Sequence, residues 1–376
     1  MDYLPFARPT IDEAMIAAVS DTLRGRWIAS GPHVQAFEQA LGEYVGGRPV
    51  RVLTSATAAM QVALELIGVG PGDEVITPAQ SFFATANVIE RTGATTVFTD
   101  VDLATRNMDL GEAASAVTSA TRVLLPTHYN APIDPAALAA LARRHQLRVV
   151  EDAALAIGSR VDGKPVGSAG DLVSFSFHPN KNMTTIEGGA LVVNDAVEAK
   201  RIEELRFHGI RRNADGTRDV AQPGSKYNMS DVSARLGVEQ LRHLDEWCRA
   251  RERLAFRYFA AFEGDDLFPP ETLPPRSNPG HSWNMFTVLL PLDATRTTRK
   301  QFMDAMQKEG IGIGISYEAI HLTTYFRGKG FAEGRFPVSE RIARETVTLP
   351  LFPEMRESDV ERVCETMKRV VRRKAA

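Results

Sequence analysis

Between residues 50 and 195 the chain alternates short β-branched runs with stretches whose leucines and alanines recur at helical spacing. No other feature restricts the fold as strongly. The runs are "VRVL", "EVIT", "TVFTD", "RVLLP", "LRVVED", "LVSFSF" and "ALVV", and helical patterns such as "TAAMQVALELIGV" and "PAALAALARRHQ" lie between several of them. Near-continuous apolar strands are covered on both faces, and intervening helices supply the crossovers. An α/β domain around a mostly parallel sheet is therefore predicted. One connection departs from this plan. Between "LVSFSF" and "ALVV" lies only the polar turn "HPNKNMTTIEGG", which carries Lys181. A lysine in a loop is ordinarily a solvated surface residue, yet this one sits where the chain turns back toward the sheet.

Residues 230–262 form one long helical pattern opened by Ser230 and Asp231, residue types that suit a helix start. The proline-rich "LFPPETLPPRSNPG" reads as a linker. "FTVLLPL", a helix at "TRKQFMDAMQKEG", the stretch "IGIGIS" and a last helix at "ESDVERVCETMKRVV" follow it. A large domain over 1–262, N-terminal arm included, and a smaller C-terminal α/β domain over 263–376 are expected. A net charge of −3 predicts neither a nucleic-acid nor a membrane partner. Cys248 and Cys364 stand apart, which excludes a disulfide framework, and no His/Cys cluster suggests a metal. The opening "MDYLPFARPTIDEAM" carries acids and lacks the apolar core of a secretion signal, and no run is long enough to span a bilayer. A cytoplasmic location is the expectation.

Three further features bear on Lys181. Asp152 ends the strand "LRVVED", where open α/β sheets place their ligands, although a helix cap or structural ion pair would explain it equally well. In "LTSATAAM", Ser55, Ala56 and Thr57 turn a strand into a helix; small residues there can present N–H groups to a phosphate, or merely cap the helix. Phe82, just after a strand, is either core or a plate for a planar ligand. Together they supply an imine-forming amine, an acid for a ring nitrogen, a phosphate cup and an aromatic plate. That combination specifies pyridoxal phosphate, with Lys181 as Schiff-base lysine and proton shuttle and Asp152 as partner of the pyridinium. A buried setting would lower the pKa of the lysine toward reactivity.

From "GRWIASGP" to "LPLFPEM" the chain resembles the DegT-type sugar aminotransferases, with "TSATAAMQVAL", "GVGPGDEVITPAQSFFATAN", "EDAA", "FSFHPNKNMTTIEGGA" and "KYNMSD" in the family's order. The resemblance extends to the branch that aminates UDP-linked 4-keto sugars, which shares "SFH" before the lysine and "KYN" before the long helix. It implies the fold type I architecture of pyridoxal-phosphate-dependent transferases, an amino acid donor (L-glutamate), a keto-sugar acceptor, and a homodimer with shared active sites. It makes Lys181 the cofactor lysine and Asp152 the ring-nitrogen partner. Thr57, Ala58 and Ser176 would hold the phosphate, and Phe82 would stack on the ring. Asn228, beside Lys226, would reach the phosphate of the neighbouring subunit.

Two departures stand out. Where the family carries Gln or His after "EDAA" to serve the cofactor's phenolic oxygen, this chain has Leu155. In "ISYEAIH", Glu318 replaces a basic residue of the arabinose-type relative and Ser316 replaces a His. An acid at the substrate entrance would repel a diphosphate, which favours an amine transaminase with a non-sugar substrate as the alternative, unless Glu318 points to solvent. His321, Tyr325, His281 and Trp283 are candidate pocket residues by the same resemblance, with core packing the competing reading. A sugar dehydratase on this scaffold would replace the lysine by His, and a non-catalytic regulator would lose the lysine or the acid. No strand is followed by the G-x-G-x-x-G of a dinucleotide site.

Overall fold

The computed structural model describes residues 3–129, 131–276, 280–295 and 297–375. The predicted runs assemble into one seven-stranded sheet in the order Val50–Leu53, Gly189–Val192, Leu172–Ser176, Arg148–Asp152, Thr121–Leu124, Glu74–Pro78, Thr95–Thr99. Gly189–Val192 runs antiparallel to both of its neighbours, and the other pairings are parallel. The exception has a plain cause. A parallel connection needs a long crossover, usually a helix, and the Lys181 turn holds no helix, so the strand comes back beside its predecessor.

The helix Ala56–Ile67 lies against the sheet with eight of its residues buried, which is why its sequence is apolar almost all round. Pro135–His145 buries only Leu138 and Ala142 and is polar elsewhere. The long helix spans Asp231–Phe262, capped by Ser230, whose hydroxyl accepts the Ser233 N–H at 3.1 Å. Its first half packs into the core of the large sheet through Ala234, Leu244 and Trp247. Its last turns enter a second core through Leu254, Tyr258 and Phe262, with Phe286, Phe302 and Met367.

That second core is built on the antiparallel pair Phe286–Leu289 and Thr346–Leu349 and the helices Arg299–Lys308 and Glu357–Ala375. "IGIGIS" adds no strand to it but packs there through Ile311 and Ile313 and makes isolated bridges at Ile311 and Gly314. The N-terminal arm also packs here: Leu4 belongs to this core, and the Leu351 N–H donates to the Phe6 carbonyl at 3.1 Å. Of the proline-rich linker, residues 277–279 lie outside the described residues, while Phe268 and Leu273 are anchored in the second core.

Candidate active site

The carboxyl ends of the parallel strands open into a cavity of about 290 Å³. Its wall brings together Thr57, Phe82, Asp152, Ser176 and Lys181, residues far apart in sequence. The sheet explains the convergence: Asp152 and Ser176 end adjacent strands, and Lys181 follows in the turn. Buried polar side chains fix that turn. Asn182 donates through Nδ2 to the carbonyls of Ile157 and Ser282, each at 3.1 Å, and the Thr184 N–H donates to Gln240 Oε1 at 3.0 Å. The glycine pair has a steric purpose, since a Cβ at Gly189 would stand 2.3 Å from the Ala56 nitrogen. Without a side chain there, the strand lies directly against the N-terminus of the helix Ala56–Ile67.

At that N-terminus the first intrahelical bond runs from the Ala59 N–H to the Ser55 carbonyl at 3.0 Å. The preceding Ala56 and Thr57 line the cavity, so the helix start faces it with amides and the positive end of its dipole. Ala58 takes no part in the wall. It is buried, and its N–H donates to the Ser55 hydroxyl at 3.0 Å, an ordinary cap.

The electrostatics separate the two ionisable groups. Burial pushes the Lys181 ammonium down to about 8, against the nearby Asp152 carboxylate, which favours the charged form. Burial raises the pKa of Asp152, opposed by the Ala154 N–H at 3.1 Å on Oδ1 and by the charges of Lys181 and His128. Asp152 is 3% exposed, yet Ala154 is its one side-chain hydrogen-bond partner among the described residues. A buried carboxylate facing a cavity with accepting capacity to spare suits a protonated ring nitrogen. The helix start and Ser176 suit a phosphate, and Phe82, half-exposed at the mouth, suits a ring face. The residues present fit pyridoxal phosphate.

Other expected site residues lie elsewhere. His321 is wholly buried, bonded through Nε2 to Glu340 Oε1 at 2.9 Å and packed on Phe336. It is a core residue, because its aromatic neighbours and Glu340 enclose it. Tyr325 is exposed and donates to Glu90 Oε2 at 2.7 Å, away from the cavity. Glu318 borders a separate cavity of about 1020 Å³ and pairs with Arg299 at 2.6 Å, so its charge is compensated rather than aimed at the lysine. It does not line the lysine's cavity. His281 and Trp283 are buried against each other, with ring centroids 4.4 Å apart, and burial lowers the His281 pKa to about 4. Asn228 stands outside the wall, its Nδ2 donating to Ser30 Oγ at 2.7 Å and its Oδ1 accepting from Lys226.

Among the polar wall residues not singled out from sequence are Ser81, Thr127, His178, Asn180, Glu187 and Tyr317. Tyr317 had a signal, standing between the two departures Ser316 and Glu318. Leu155 does line the cavity, so the missing polar group is missing from the wall itself.

The model of the DegT/DnrJ/EryC1/StrS aminotransferase family matches residues 9–368. Among solved structures, the chain is similar to Spr1654 from Streptococcus pneumoniae in its PLP form, at 30% identity over 99% of each chain with a TM-score of 0.91. It is also similar to the aminotransferase TlmJ from Streptoalloteichus hindustanus, at 32% identity over 99% of this chain and 100% of that one, TM-score 0.90. A third similar structure is DesI in the presence of its TDP-sugar product, at 28% identity over 99% and 94%, TM-score 0.89.

Proposed function

We propose, on the premise that this chain belongs to the DegT/DnrJ/EryC1/StrS aminotransferase family, that it transfers an amino group from L-glutamate to the 4-keto group of a nucleotide-linked sugar. It is a pyridoxal-phosphate-dependent aminotransferase. The observation that carries the reading is the meeting of Lys181 and Asp152 across one cavity with a helix N-terminus and Phe82 on its wall. The sugar acceptor is supported by DesI and its TDP-sugar product. The compensation of Glu318 by Arg299 removes the charge argument for a cationic amine.

When bound, pyridoxal phosphate supplies an aldehyde carbon that carries the amino group and an electron-withdrawing ring. Thr57, Ser176 and the amides at the helix start would hold its phosphate, Phe82 would cover the ring, and Asp152 would keep a proton on the ring nitrogen. Lys181 would hold the group through its Nζ, and the same nitrogen, whose basicity burial lowers, would take and return the proton at the substrate carbon.

The reading includes a homodimer with shared sites, two domains divided at 262/263, and a cytoplasmic location. Exposed Ile16 and Leu23 on the helix Glu13–Arg24, with exposed Trp27 and Ile28 just after it, are apolar surface of the kind a second copy covers. Asn228 and Lys226 lie outside their own chain's cavity wall, as residues serving a neighbour would. Among the described residues no helix is long and apolar enough to cross a membrane. The test loads the protein with amine from L-glutamate and adds nucleotide-linked 4-keto sugars or simple ketones. Return of the original cofactor absorbance with the sugar alone is expected. A response to simple ketones and none to sugars would move the assignment to amine transamination.

A further inference from the structure

Leu155 leaves a specific gap. It is 5% exposed, lines the cavity one residue beyond Ala154, and packs with Tyr129, Met285 and Tyr317. Of these, Tyr317 also lines the cavity and carries a hydroxyl. Resting on the pyridoxal-phosphate reading above, we propose that Tyr317 donates the hydrogen bond to the cofactor's phenolic oxygen that a leucine at 155 cannot.

Several observations support this. Tyr317 and Asp152 line the same cavity, and burial, with the charges of Tyr129 and Asp152 acting the same way against the Ser316 side chain, keeps the Tyr317 phenol protonated and so able to donate. Ser81 and Thr127, which also line the cavity, are hydrogen-bonded to each other at 2.9 Å and buried, so the pair has only one hydroxyl proton left to give, against a phenol whose whole ring is held at the wall. Tyr317 is also held in place on both sides. Its ring lies 5.5 Å from that of Phe82 and edge-on to Tyr129 at 5.8 Å, with 83° between the planes. The Tyr129 hydroxyl donates to the carbonyl of Ser316, immediately before Tyr317. Arg106 sits over the Tyr129 ring at 5.6 Å and donates to Thr346 Oγ1 at 2.7 Å. The phenol is thus braced from the large sheet and from the second core. A side chain fixed in this way donates without first paying the entropy of ordering.

The sign of the effect follows from the chemistry. A donor on the anionic phenolic oxygen stabilises its charge and weakens its hold on the proton shared with the Lys181 nitrogen. Removing the donor strengthens that hold, so the proton leaves at higher pH.

The test reads the bound cofactor's absorbance against pH, and cofactor affinity by equilibrium dialysis, in Tyr317→Phe. The spectral midpoint should rise by about one pH unit, and the dissociation constant should rise about tenfold. Leu155→Gln added to Tyr317→Phe should bring the midpoint back. A midpoint unmoved in Tyr317→Phe would overturn the proposal, and so would a shift that Leu155→Gln leaves uncorrected. Should Tyr317→Phe fail to fold, Leu155→Gln alone decides. An oxygen already served responds by a small fraction of a unit, and a fall of about one unit or more defeats the assignment. A wild type that binds no cofactor would instead defeat the pyridoxal-phosphate reading itself.

Discussion

Lys181 is less basic in the folded protein than in the unfolded chain, and that difference is measurable apart from catalysis. Its pKa falls to about 8 from an ordinary 10.5, mainly by burial. Between these values the unfolded lysine binds a proton that the folded one does not, so stability gained from this group rises with pH across that window. Below about pH 8 the folded state bears the full penalty. In cofactor-free protein, Lys181→Met should therefore raise the urea midpoint at about pH 7 and raise it less at about pH 9.5. An equal gain at both would mean that the amine is not desolvated. Steady-state transamination should be abolished by Lys181→Ala, because both the covalent partner and the proton shuttle are gone. Asp152→Asn keeps a hydrogen bond but cannot hold a positive charge on the ring nitrogen. It should lower kcat by orders of magnitude with little change in KM, and single-turnover kinetics would locate the loss in proton abstraction.

At the scale of elements, Asp231 shows one side chain organising two helices. It opens the helix Asp231–Phe262, is fully buried, and accepts the N–H groups of Gly31, His33 and Val34 at 2.8, 3.1 and 2.9 Å. Those donors begin the helix Pro32–Tyr44, whose own N-cap, Gly31, has no side chain to offer. Asp231→Ala would leave three donors without a partner, and a stability loss of about 3 kcal/mol is expected from denaturant melts. Glu318→Ala, which breaks only a partly exposed pair, should cost about 0.5 kcal/mol and leave the preference between UDP-sugar and diamine unchanged. A changed preference by calorimetry would return Glu318 to the substrate path. The contrast shows what was legible in the sequence. Strand runs, the Ser230 start, Lys181 and Asp152 are marked by their chain neighbours. His321, Tyr325 and Glu318 are decided by Glu340, Glu90 and Arg299, partners that local pattern cannot reveal. Tyr317 was flagged only by its neighbours Ser316 and Glu318, as the role proposed for it depends on Leu155 and Tyr129 arriving beside it.

At the scale of the whole molecule, the proposed dimer predicts complementation between two defective chains. Mixing Lys181→Ala protein with a Lys226→Ala/Asn228→Ala variant should regenerate activity, because one of the two shared sites in each mixed dimer is then intact. Simple averaging of the two residual activities would argue for sites built from one chain. The antiparallel return through the Lys181 turn has a kinetic consequence as well. Val50 finds its strand partner at Val192, across most of the domain, whereas Ser176 finds Gly189 across the turn alone. Closing a short loop loses little chain entropy, so the pairing of Leu172–Ser176 with Gly189–Val192 should be among the first in this sheet to form. Hydrogen exchange pulsed during refolding should find those amides protected before the amides of Val50–Leu53. The loop that presents the reactive amine would then be shaped early, ahead of most of the cavity around it.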